Sequence, residues 1–310
     1  MDIVINRFLN KWIEQYLFFP NILQKLISVS LFPFTILYCV VVAFKRTKAV
    51  PFDFGIDVIS IGNLVVGGSG KTPVTIALAK DMENVAVVLR GYGRNSKGLY
   101  VVSNKGELLE DVKVSGDEAQ LLALKLPKAI IIVSENRADG IYKAKELGAK
   151  TVFLDDGYSH HYIKKFDILV RPKDEPTNVF CLPSGGYRET KMMYSFVDVV
   201  LRDGTDFTRN ITFSQDDKTL ENLPSNIVLV SGISKPTRLL EYLPKNIKTE
   251  FFIDHHNFTK NDMEVLNEKY PDYNFIVTAK DFVKISKFNL PNIILMDLEV
   301  TINKDIEYKF

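Results

Sequence analysis

After Val50, short apolar runs rich in β-branched residues alternate with longer stretches of mixed polarity. Short apolar runs of this kind are typical of buried β-strands, and the stretches between several of them have the length of helices. The predicted strands are Val58–Ile61, Val85–Leu89, Ala129–Val133, Thr151–Leu154, Ile168–Val170, Val197–Leu201, Ile227–Val230, Phe275–Thr278 and Ile293–Met296. The predicted helices are Thr72–Met82, Asp117–Leu124, Ala138–Leu147, Pro236–Tyr242, Lys260–Tyr270 and Asp281–Ile285.

Strands that are apolar along their whole length and are separated by helices predict a mostly parallel sheet covered by helices on both faces. We therefore predict an α/β fold with a core at 51–205 and a second, smaller α/β lobe at 225–310. The polar segment 206–224 between them is predicted to be a β-rich linker or an insertion. Its turn signals fit a connection between lobes and a two-stranded β insertion equally well.

Residues 1–50 differ from the rest of the chain, because the nineteen residues between Lys25 and Lys45 carry no formal charge. Such a stretch is barely long enough to cross the ~30 Å hydrocarbon core of a bilayer. Pro33 lies inside it and would kink a helix, so a re-entrant or interfacial helix fits as well as a span. A buried hairpin packed on the following domain is the alternative. We favour a membrane-associated helical segment, with Lys45 and Arg46 on the cytoplasmic side.

Composition narrows the class of protein. With 310 residues, 46% hydrophobic and 25% charged, the chain has the composition of an ordinary folded protein. Its formal net charge of +1 provides no electrostatic argument for nucleic acid as a partner. Cys39 and Cys181 lack metal-ligand spacing and are interpreted as free thiols.

The strongest chemical signal is a glycine-rich turn after the first predicted strand of the core. Gly67, Gly68, Ser69 and Gly70 are followed by Lys71 and Thr72, and then by a predicted helix. A strand, a glycine loop, Lys-Thr and a helix in this order form a loop that holds the phosphates of a nucleotide. In such a loop the lysine contacts the β- and γ-phosphates and the threonine hydroxyl binds Mg²⁺. Val65 stands where the usual pattern has its first glycine, so an ordinary glycine turn is the alternative.

A second signal is the pair Asp155-Asp156 at the end of the predicted strand Thr151–Leu154. Adjacent carboxylates repel each other unless a cation or hydrogen-bond donors stabilise them. A carboxylate at the end of a strand beside a phosphate loop is typical of Mg²⁺ binding in nucleotide-hydrolysing proteins. We favour this metal site over a solvated hairpin turn, which the Asp-Asp-Gly sequence would also allow.

The four histidines occur as the adjacent pairs His160-His161 and His255-His256. Neighbouring residues of a strand point in opposite directions, and no further ligand spacing accompanies the pairs, so a zinc site is disfavoured. A function in proton transfer or in hydrogen bonding is favoured instead.

Several polar clusters lie at predicted loop positions. Arg90–Arg94 and Asn136–Arg137 follow predicted strands, Leu182–Glu189 is a Gly/Pro loop, and Gly116–Glu118 begins a helix, where Asp117 also fits an N-cap or first-turn carboxylate. Each cluster alone fits a surface loop. Because ligands of open α/β sheets bind beyond the carboxyl ends of strands, the shared position of the clusters indicates one binding region.

From about Leu31 to the carboxyl end, the chain resembles the tetraacyldisaccharide 4'-kinases, the lipid A 4'-kinases of Gram-negative bacteria. The matching segments are LFPFTILY, SIGNLVVGGSGKTP, RGYGR, GDEA, NRADG, DDGYSHH, LPSGGYRE, SGISKP, FIDHHNF and TAKDFVKI. The family also lacks the first glycine of the loop, which accounts for Val65. Departures from the family pattern occur at Ala119, Ser159, Ser184, Gly186 and Tyr187.

The resemblance implies a P-loop fold that transfers the γ-phosphate of ATP, with Mg²⁺, to the 4'-hydroxyl of a tetraacylated glucosamine disaccharide 1-phosphate. It implies that the enzyme acts at the cytoplasmic face of the bacterial inner membrane and binds neither nucleic acid nor an obligatory protein partner. Lys71 and Thr72 would hold the phosphates and Mg²⁺, and Asp155 and Asp156 would bind the metal. Asp117 matches the base for the sugar hydroxyl, with His255 as its partner.

Further positions match by the same resemblance. Arg137 matches an arginine near the nucleotide phosphates, and four residues match positions associated with the lipid headgroup: Tyr92, His160, Arg188 and Glu189. Two other functions compete with the kinase. A soluble P-loop ATPase or switch would act on a protein partner, and a membrane scaffold would bind nucleotide only in order to fold.

Overall fold

The computed structural model describes residues 2–216, 218–233 and 236–310. Its α-helices are α1 (Asp2–Phe18), α2 (Ile22–Ser30), α3 (Phe32–Lys48), α4 (Lys71–Ala79), α5 (Val112–Ser115), α6 (Asp117–Lys125), α7 (Arg137–Glu146), α8 (Lys260–Lys269) and α9 (Ala279–Ile285). Its strands are β1 (Asp57–Gly62), β2 (Val85–Leu89), β3 (Tyr100–Asn104), β4 (Glu107–Leu108), β5 (Ile130–Val133), β6 (Thr151–Asp155), β7 (Phe166–Arg171), β8 (Val199–Arg202), β9 (Phe207–Gln215), β10 (Lys218–Thr219), β11 (Ile227–Ser231), β12 (Lys248–Phe251), β13 (Asn274–Thr278) and β14 (Ile293–Ile302).

The predicted α/β class is confirmed, and each predicted strand corresponds to a strand of the structure. One predicted helix differs in type, because Pro236–Tyr242 forms a 3₁₀ helix. The polar segment 206–224 contains β9 and β10, which pair antiparallel with each other. Asp217 of that segment, and Ser234 and Lys235 of the SGISKP motif, lie outside the described residues.

The chain divides into two compact units, each assembled from separate stretches of sequence. Unit 1 comprises residues 1–75, 141–208 and 302–310, and unit 2 comprises residues 76–140 and 209–301. The sequence instead predicted consecutive domains, with borders near residues 50, 205 and 224. Those borders stay predictions.

In unit 1 the strands lie in the order β6-β1-β7-β8, and every neighbouring pair is parallel. β6 is buried along its whole length and β1 everywhere but at its first residue, as expected for parallel strands with both faces covered. Ile61 of β1 is in register with Asp155 of β6. The chain leaving β1 towards the glycine loop therefore starts beside the acidic end of β6.

In unit 2 the strands β4-β3-β5-β2 are neighbours, with β2 and β5 parallel and β3 antiparallel to both β4 and β5. A further sheet has the order β10-β9-β14-β13-β11-β12, in which the run from β14 to β12 is parallel. Its core is apolar and includes Val228, Phe258 and Phe275. This six-stranded sheet is separate from the sheet that contains β1 and the phosphate loop.

The amino-terminal helices α2 and α3 have their polarity reversed relative to a helix of a soluble domain. Their buried residues are Gln24, Ser28 and Thr35. Their exposed residues are large and apolar: Ile22, Leu23, Leu26, Ile27, Val29, Phe32, Phe34, Ile36, Leu37, Val40, Val41 and Phe44. Within the described residues, no single helix is long and apolar enough to span a membrane. Taken together, α2 and α3 have the length and composition of a span, but a bend of 57° separates them.

The bend between α2 and α3 has a local cause. Leu31 separates the two helices, and Pro33 lies in the first turn of α3, where the missing proline N–H breaks no helical hydrogen bond. The predicted effect of Pro33 thus occurs at the start of a helix rather than within one. At the other end of α2, Asn21 and Gln24 form a reciprocal capping box.

Buried hydrogen bonds hold these helices to the loop that follows β7. The Ser28 hydroxyl donates to the carbonyl oxygen of Ser184 at 2.5 Å, and the Thr35 hydroxyl donates to Ser184 Oγ at 2.8 Å. Asn178 Nδ2 also donates to the Ser184 carbonyl at 2.7 Å. Because buried polar groups need partners, this network accounts for the polar side chains on the inner face of α2 and α3.

Candidate active site

The loop between β1 and α4 has the backbone shape of a phosphate-binding loop. Gly67 and Gly70 have φ of +92° and +89°, a region that glycine adopts without steric cost. A Cβ atom added at Gly67 or Gly68 would meet nothing within 4 Å, so the space above the loop is open. Helix α4 begins directly after Gly70, which places its first backbone N–H groups at the loop. Such an arrangement favours a bound anion.

Val65 occupies the position of the missing glycine without strain. It is 5% exposed and forms an antiparallel bridge with Tyr187. Extended backbone of this kind suits a β-branched side chain. Asn63 stabilises the same turn, since its Nδ2 donates to the Val65 carbonyl oxygen at 2.5 Å and its Oδ1 accepts from Lys71 Nζ at 3.3 Å.

The acidic end of β6 lies against the start of α4. The Thr72 hydroxyl donates to Asp155 Oδ2 at 2.8 Å, and the Thr75 hydroxyl lies 3.5 Å from Asp155 Oδ1. Asp155 is 5% exposed. β1 lies between β6 and β7 and pairs parallel with both. Asp155 and Asp156 therefore do not form the turn of a hairpin between β6 and β7, which the Asp-Asp-Gly sequence would also have allowed.

Asp156 turns away from the strand and meets two cations. Its φ is +57°, and its Oδ1 lies 3.6 Å from Lys71 Nζ. Arg188 Nη1 lies 3.2 Å from both of its carboxylate oxygens. The predicted residues Lys71, Thr72, Asp155, Asp156 and Arg188 are therefore brought together within unit 1.

This group of side chains fits a nucleotide with Mg²⁺. Mg²⁺ in nucleotide sites is held by one or two carboxylates, a hydroxyl, phosphate oxygens and water, and Thr72 beside Asp155 supplies the hydroxyl and carboxylate. Across residues 2–216, 218–233 and 236–310, no cluster of three or more His, Cys, Asp or Glu side chains has the geometry for a metal.

The second predicted constellation, Asp117 with His255, forms within unit 2. Asp117 begins α6 and is 5% exposed, and His255 lies in a turn with a φ of +58°. His255 Nδ1 lies 3.2 Å from Asp117 Oδ1 and 3.0 Å from Oδ2. The backbone N–H of His255 donates to the Gly232 carbonyl oxygen at 2.9 Å, which fixes the turn.

The electrostatics of this pair favour its charged form. Burial raises the pKa of Asp117, but the hydrogen bond from His255 and the charges of Lys280 and Lys284 outweigh burial and hold that pKa below its ordinary value of 3.8. The hydrogen bond to Asp117 raises the pKa of His255 above its ordinary value of 6.5, against opposing effects of burial and Lys280. Asp117 is therefore a carboxylate at neutral pH, available to accept a proton.

These shifts predict how stability depends on pH. The raised pKa of His255 contributes stability that is complete below pH 6.5 and is lost as pH rises through the folded-state pKa. The lowered pKa of Asp117 contributes stability that is present above pH 3.8 and is lost as pH falls through its folded-state value. We expect His255→Gln to lower the free energy of unfolding most between about pH 4 and 6.5, by an amount on the order of 1 kcal/mol, and less at pH 8, with Tm falling in parallel.

Thermal unfolding of the wild type and of His255→Gln across pH 4–9 checks this expectation. His256→Gln is the matched control, because His256 bonds Asp262 at 3.1 Å and has no contact with Asp117 in the structure. A Tm difference for His255→Gln that is constant across the range would contradict the ion pair.

Tyr92 and Arg137 are also in unit 2. The Tyr92 side chain is 67% exposed, and its ring centroid lies 5.5 Å from that of His255, so it accompanies the predicted catalytic pair. Arg137 is 3% exposed at the start of α7, where its Nη1 donates to the Ser134 carbonyl oxygen at 2.5 Å. A nucleotide-binding function for Arg137 stays a prediction.

Glu189 and His160 have other partners than Arg188, which contacts Asp156. Glu189 accepts from Arg46 Nη1 at 2.7 Å, and the Glu189 carboxylate lies 3.6 Å from His161 Nε2. Arg46 also donates to the Tyr158 hydroxyl at 2.7 Å, so Glu189 joins α3 to the loop that follows β7. The ring of His160 packs edge-on against Tyr162. Headgroup contacts for His160 and Glu189 stay predictions.

Comparison with known proteins establishes the family. Residues 27–310 match the family model described as tetraacyldisaccharide-1-P 4'-kinase. The chain belongs to the tetraacyldisaccharide 4'-kinase family. It is 56% identical to the tetraacyldisaccharide 4'-kinase of Aliarcobacter butzleri (96% of this chain, 94% of the relative). It is 43% identical to that of Helicobacter pylori strain 26695 (93% and 91%).

A solved structure of the same family supports the fold. The "apo" form of LpxK from Aquifex aeolicus, in complex with ATP, matches with a TM-score of 0.73 at 27% identity, covering 90% of this chain and 96% of that one. The resemblance drawn from the motifs is confirmed, and so is the P-loop kinase fold.

Three further residues contact the candidate site and lie in segments that match the family, although the sequence does not indicate their contacts. Asn63 of SIGNLVVGGSGKTP contacts Lys71. Lys280 and Lys284 of TAKDFVKI lie 3.8 Å and 3.5 Å from the Asp117 carboxylate. The segments were visible in the sequence, but the long-range contacts of the two α9 lysines were not.

Proposed function

We propose that this protein transfers the γ-phosphate of ATP to the 4'-hydroxyl of a tetraacylated glucosamine disaccharide 1-phosphate in lipid A biosynthesis. The observation that carries this conclusion is the family match over residues 27–310. It includes both the phosphate loop with its acidic strand end and the Asp117–His255 pair. The chain is accordingly a kinase that uses ATP and a hydroxyl acceptor.

Residues of unit 1 would hold the nucleotide. The backbone N–H groups at Gly67–Gly70 and the start of α4 bind phosphate oxygens, and Lys71 supplies a positive charge for the group being transferred. Thr72, Asp155 and Asp156 would hold Mg²⁺, which when bound neutralises charge on the β- and γ-phosphates. Phosphoryl transfer requires chiefly positioning and charge neutralisation, and these residues provide both.

Asp117 would accept the proton of the 4'-hydroxyl as the bond to phosphorus forms. A general base must be ionised at the working pH, and the lowered pKa of Asp117 meets this requirement. His255 orients the carboxylate through its Nδ1–H, which lies 3.0 Å from Asp117 Oδ2. Tyr92 is proposed to contact the lipid headgroup from beside His255. Arg188 is proposed to contact it from beside Asp156.

The fate of the γ-phosphate tests the proposed reaction. Purified protein is incubated with γ-labelled ATP, Mg²⁺ and the disaccharide 1-phosphate lipid in detergent, and label is measured in lipid and in inorganic phosphate. We expect the label in lipid, with little release of phosphate when the lipid is omitted. Release of phosphate that does not depend on the lipid, with none in lipid, would favour the alternative of an ATPase or switch.

We also propose that α2 and α3 attach the protein to the inner leaflet of the bacterial inner membrane. Their exposed face is apolar, with Leu23 at 72% and Leu26 at 64% exposure, and their buried face is polar. Exposed apolar patches of this extent are typical of membrane or protein contacts. Lys45 and Lys48 in the last turn of α3 suit anionic headgroups, whereas Arg46 of the same turn is held by Glu189.

Vesicle flotation tests the attachment. Each buried leucine contributes about 1.5–3 kcal/mol to transfer from water, so the double variant Leu23→Glu, Leu26→Glu is expected to bind vesicles at least about tenfold more weakly. Val265→Glu is the matched control, because Val265 is an exposed apolar residue of α8 at 52% exposure. Equal flotation of the double variant and the wild type would contradict the attachment through α2.

A further inference from the structure

A buried lysine joins the Asp117–His255 pair to the interior of unit 2. The Lys284 side chain is 3% exposed, and its Nζ lies 3.5 Å from Asp117 Oδ2 and 3.3 Å from Asp281 Oδ1. Taking a charged group out of water is costly unless it is paired. Lys284 therefore has a defined position between two carboxylates rather than a mobile one at the surface.

Asp281 is itself held on several sides. It is fully buried, and its Oδ2 accepts from Ser231 Oγ at 3.0 Å, from Thr278 Oγ1 at 2.9 Å and from the Gly232 backbone N–H at 3.2 Å. These partners lie at the carboxyl ends of β11 and β13. Asp281 thus connects Lys284 to the end of the sheet.

The same end of β11 also fixes His255. Gly232 donates its N–H to Asp281 and accepts from the N–H of His255 at 2.9 Å. Asp117 is consequently contacted by Lys284 and His255, and both of these residues are held through the backbone of Gly232, Lys284 by way of Asp281. This arrangement sets the carboxylate of Asp117 relative to the imidazole.

Lys280, the other α9 lysine near Asp117, is not equivalent to Lys284. Its side chain is 20% exposed, and its Nζ lies nearer to Glu118, at 3.2 Å, than to Asp117, at 3.8 Å. It shares its charge between these two carboxylates of α6. The geometry therefore makes Lys284 the better fixed cation of the two.

We propose that Lys284, held in place by Asp281, is a positioning residue that orients the Asp117 carboxylate for proton transfer. This inference rests on the proposed function of Asp117 as the base. Lys284 acts through Asp117, because its 3% exposed side chain lies between two carboxylates and offers no surface to the acceptor lipid. Misplacing a catalytic group by about 1 Å can lower a rate on the order of 100-fold.

The first test compares Lys284→Met, which keeps the length of the side chain, with Lys284→Arg, which keeps the charge. We expect Lys284→Met to lower kcat roughly 10- to 100-fold with KM for ATP changed less than about twofold, and Lys284→Arg to recover part of the loss. Lys287→Met, an exposed lysine of the 3₁₀ turn after α9, is the matched control. Unchanged kcat in Lys284→Met would overturn the proposal.

The pH profile provides a readout that a purely structural residue would not change. The charged groups around Asp117 are His255, Lys280 and Lys284, with Glu118, Asp254 and Asp281 next to these. Removing the Lys284 charge raises the pKa of Asp117, so the acidic limb of kcat should move to higher pH. An unshifted limb would contradict a contact that acts on Asp117.

A double variant separates positioning from folding. Lys284→Met alone leaves Asp281 with a buried charge and is expected to lower Tm, whereas Asp281→Asn with Lys284→Met removes that charge and is expected to regain most of the Tm. If Lys284 positions Asp117, kcat of the double variant stays at least about tenfold low despite the recovered Tm. If kcat returns together with Tm, Lys284 is only the counter-ion of Asp281, and the proposal is overturned.

The proposed function and this inference fail separately. Absence of lipid phosphorylation by the wild type would overturn the proposed function. Normal activity of the wild type, loss in Asp117→Asn and full kcat in Lys284→Met would overturn the inference alone.

Discussion

Lys71→Ala is expected to lower phosphate transfer to lipid by roughly 10²- to 10³-fold. Lys71 begins α4, and its Nζ lies 3.3 Å from Asn63 Oδ1 and 3.6 Å from Asp156 Oδ1, so its charge is fixed at the phosphate loop. In transfer from ATP, that charge stabilises the γ-phosphate as negative charge spreads over its oxygens. Initial rates with varied ATP measure the loss, which should appear in kcat and in kcat/KM.

Lys80→Ala is the control for this substitution, since Lys80 follows the same helix and is exposed. It should retain wild-type rates. Lys71→Arg should remain well below the wild type, because a guanidinium has a different shape and hydrogen-bond geometry from an ammonium group. A fully active Lys71→Ala protein would show that the phosphates bind elsewhere.

Asp117→Asn is expected to lower kcat by roughly 10²- to 10⁴-fold while KM for ATP changes little. The amide keeps the size of the carboxylate but cannot accept the hydroxyl proton, and that proton is accepted only in the transition state. A loss confined to kcat is the kinetic sign of such an interaction. Asp117→Ala should show a loss of similar order.

Asp139→Asn is the matched control, because Asp139 is an exposed carboxylate in the first turn of α7. It should not change either constant. If Asp117→Asn instead raised KM and left kcat intact, Asp117 would be a binding residue and the base would have to be another group.

Much of the nucleotide half of the site could be predicted from the sequence because its signals are local. The loop and Asp155-Asp156 each follow an apolar strand, and parallel strands bring their carboxyl ends to one edge of a sheet. The structure places Thr72 against Asp155 and aligns Ile61 of β1 with it. Short runs of sequence were therefore sufficient to predict that Thr72 and Asp155 lie together.

Other features depend on contacts that short patterns do not record. β9 reads FTRNITFSQ, and its polar residues fitted a linker and a β insertion equally well; the structure places it between β10 and β14 in the sheet. Tertiary pairing decides β structure more than local preference does. Lys284 and Asp117 are 167 residues apart, so nothing in TAKDFVKI alone indicates their contact.

The polarity of the amino-terminal helices could be interpreted only in part. The uncharged stretch was visible, but an apolar sequence does not say which of its faces is covered. The structure shows that Ser28 and Thr35 are buried by their hydrogen bonds to Ser184, which leaves the apolar side chains outside. The distribution of partners, rather than hydropathy, determines the buried face.

The position of the new phosphate on the product tests the central claim most directly. Wild-type protein is incubated with ATP, Mg²⁺ and the disaccharide 1-phosphate lipid, and in parallel with an acceptor that lacks only the 4'-hydroxyl. Fragmentation mass spectrometry of the products then locates the added group. The account predicts one additional phosphate on the distal glucosamine of the first acceptor and none on the second. An additional phosphate on the second acceptor, or at the 1-phosphate of the first, would contradict it.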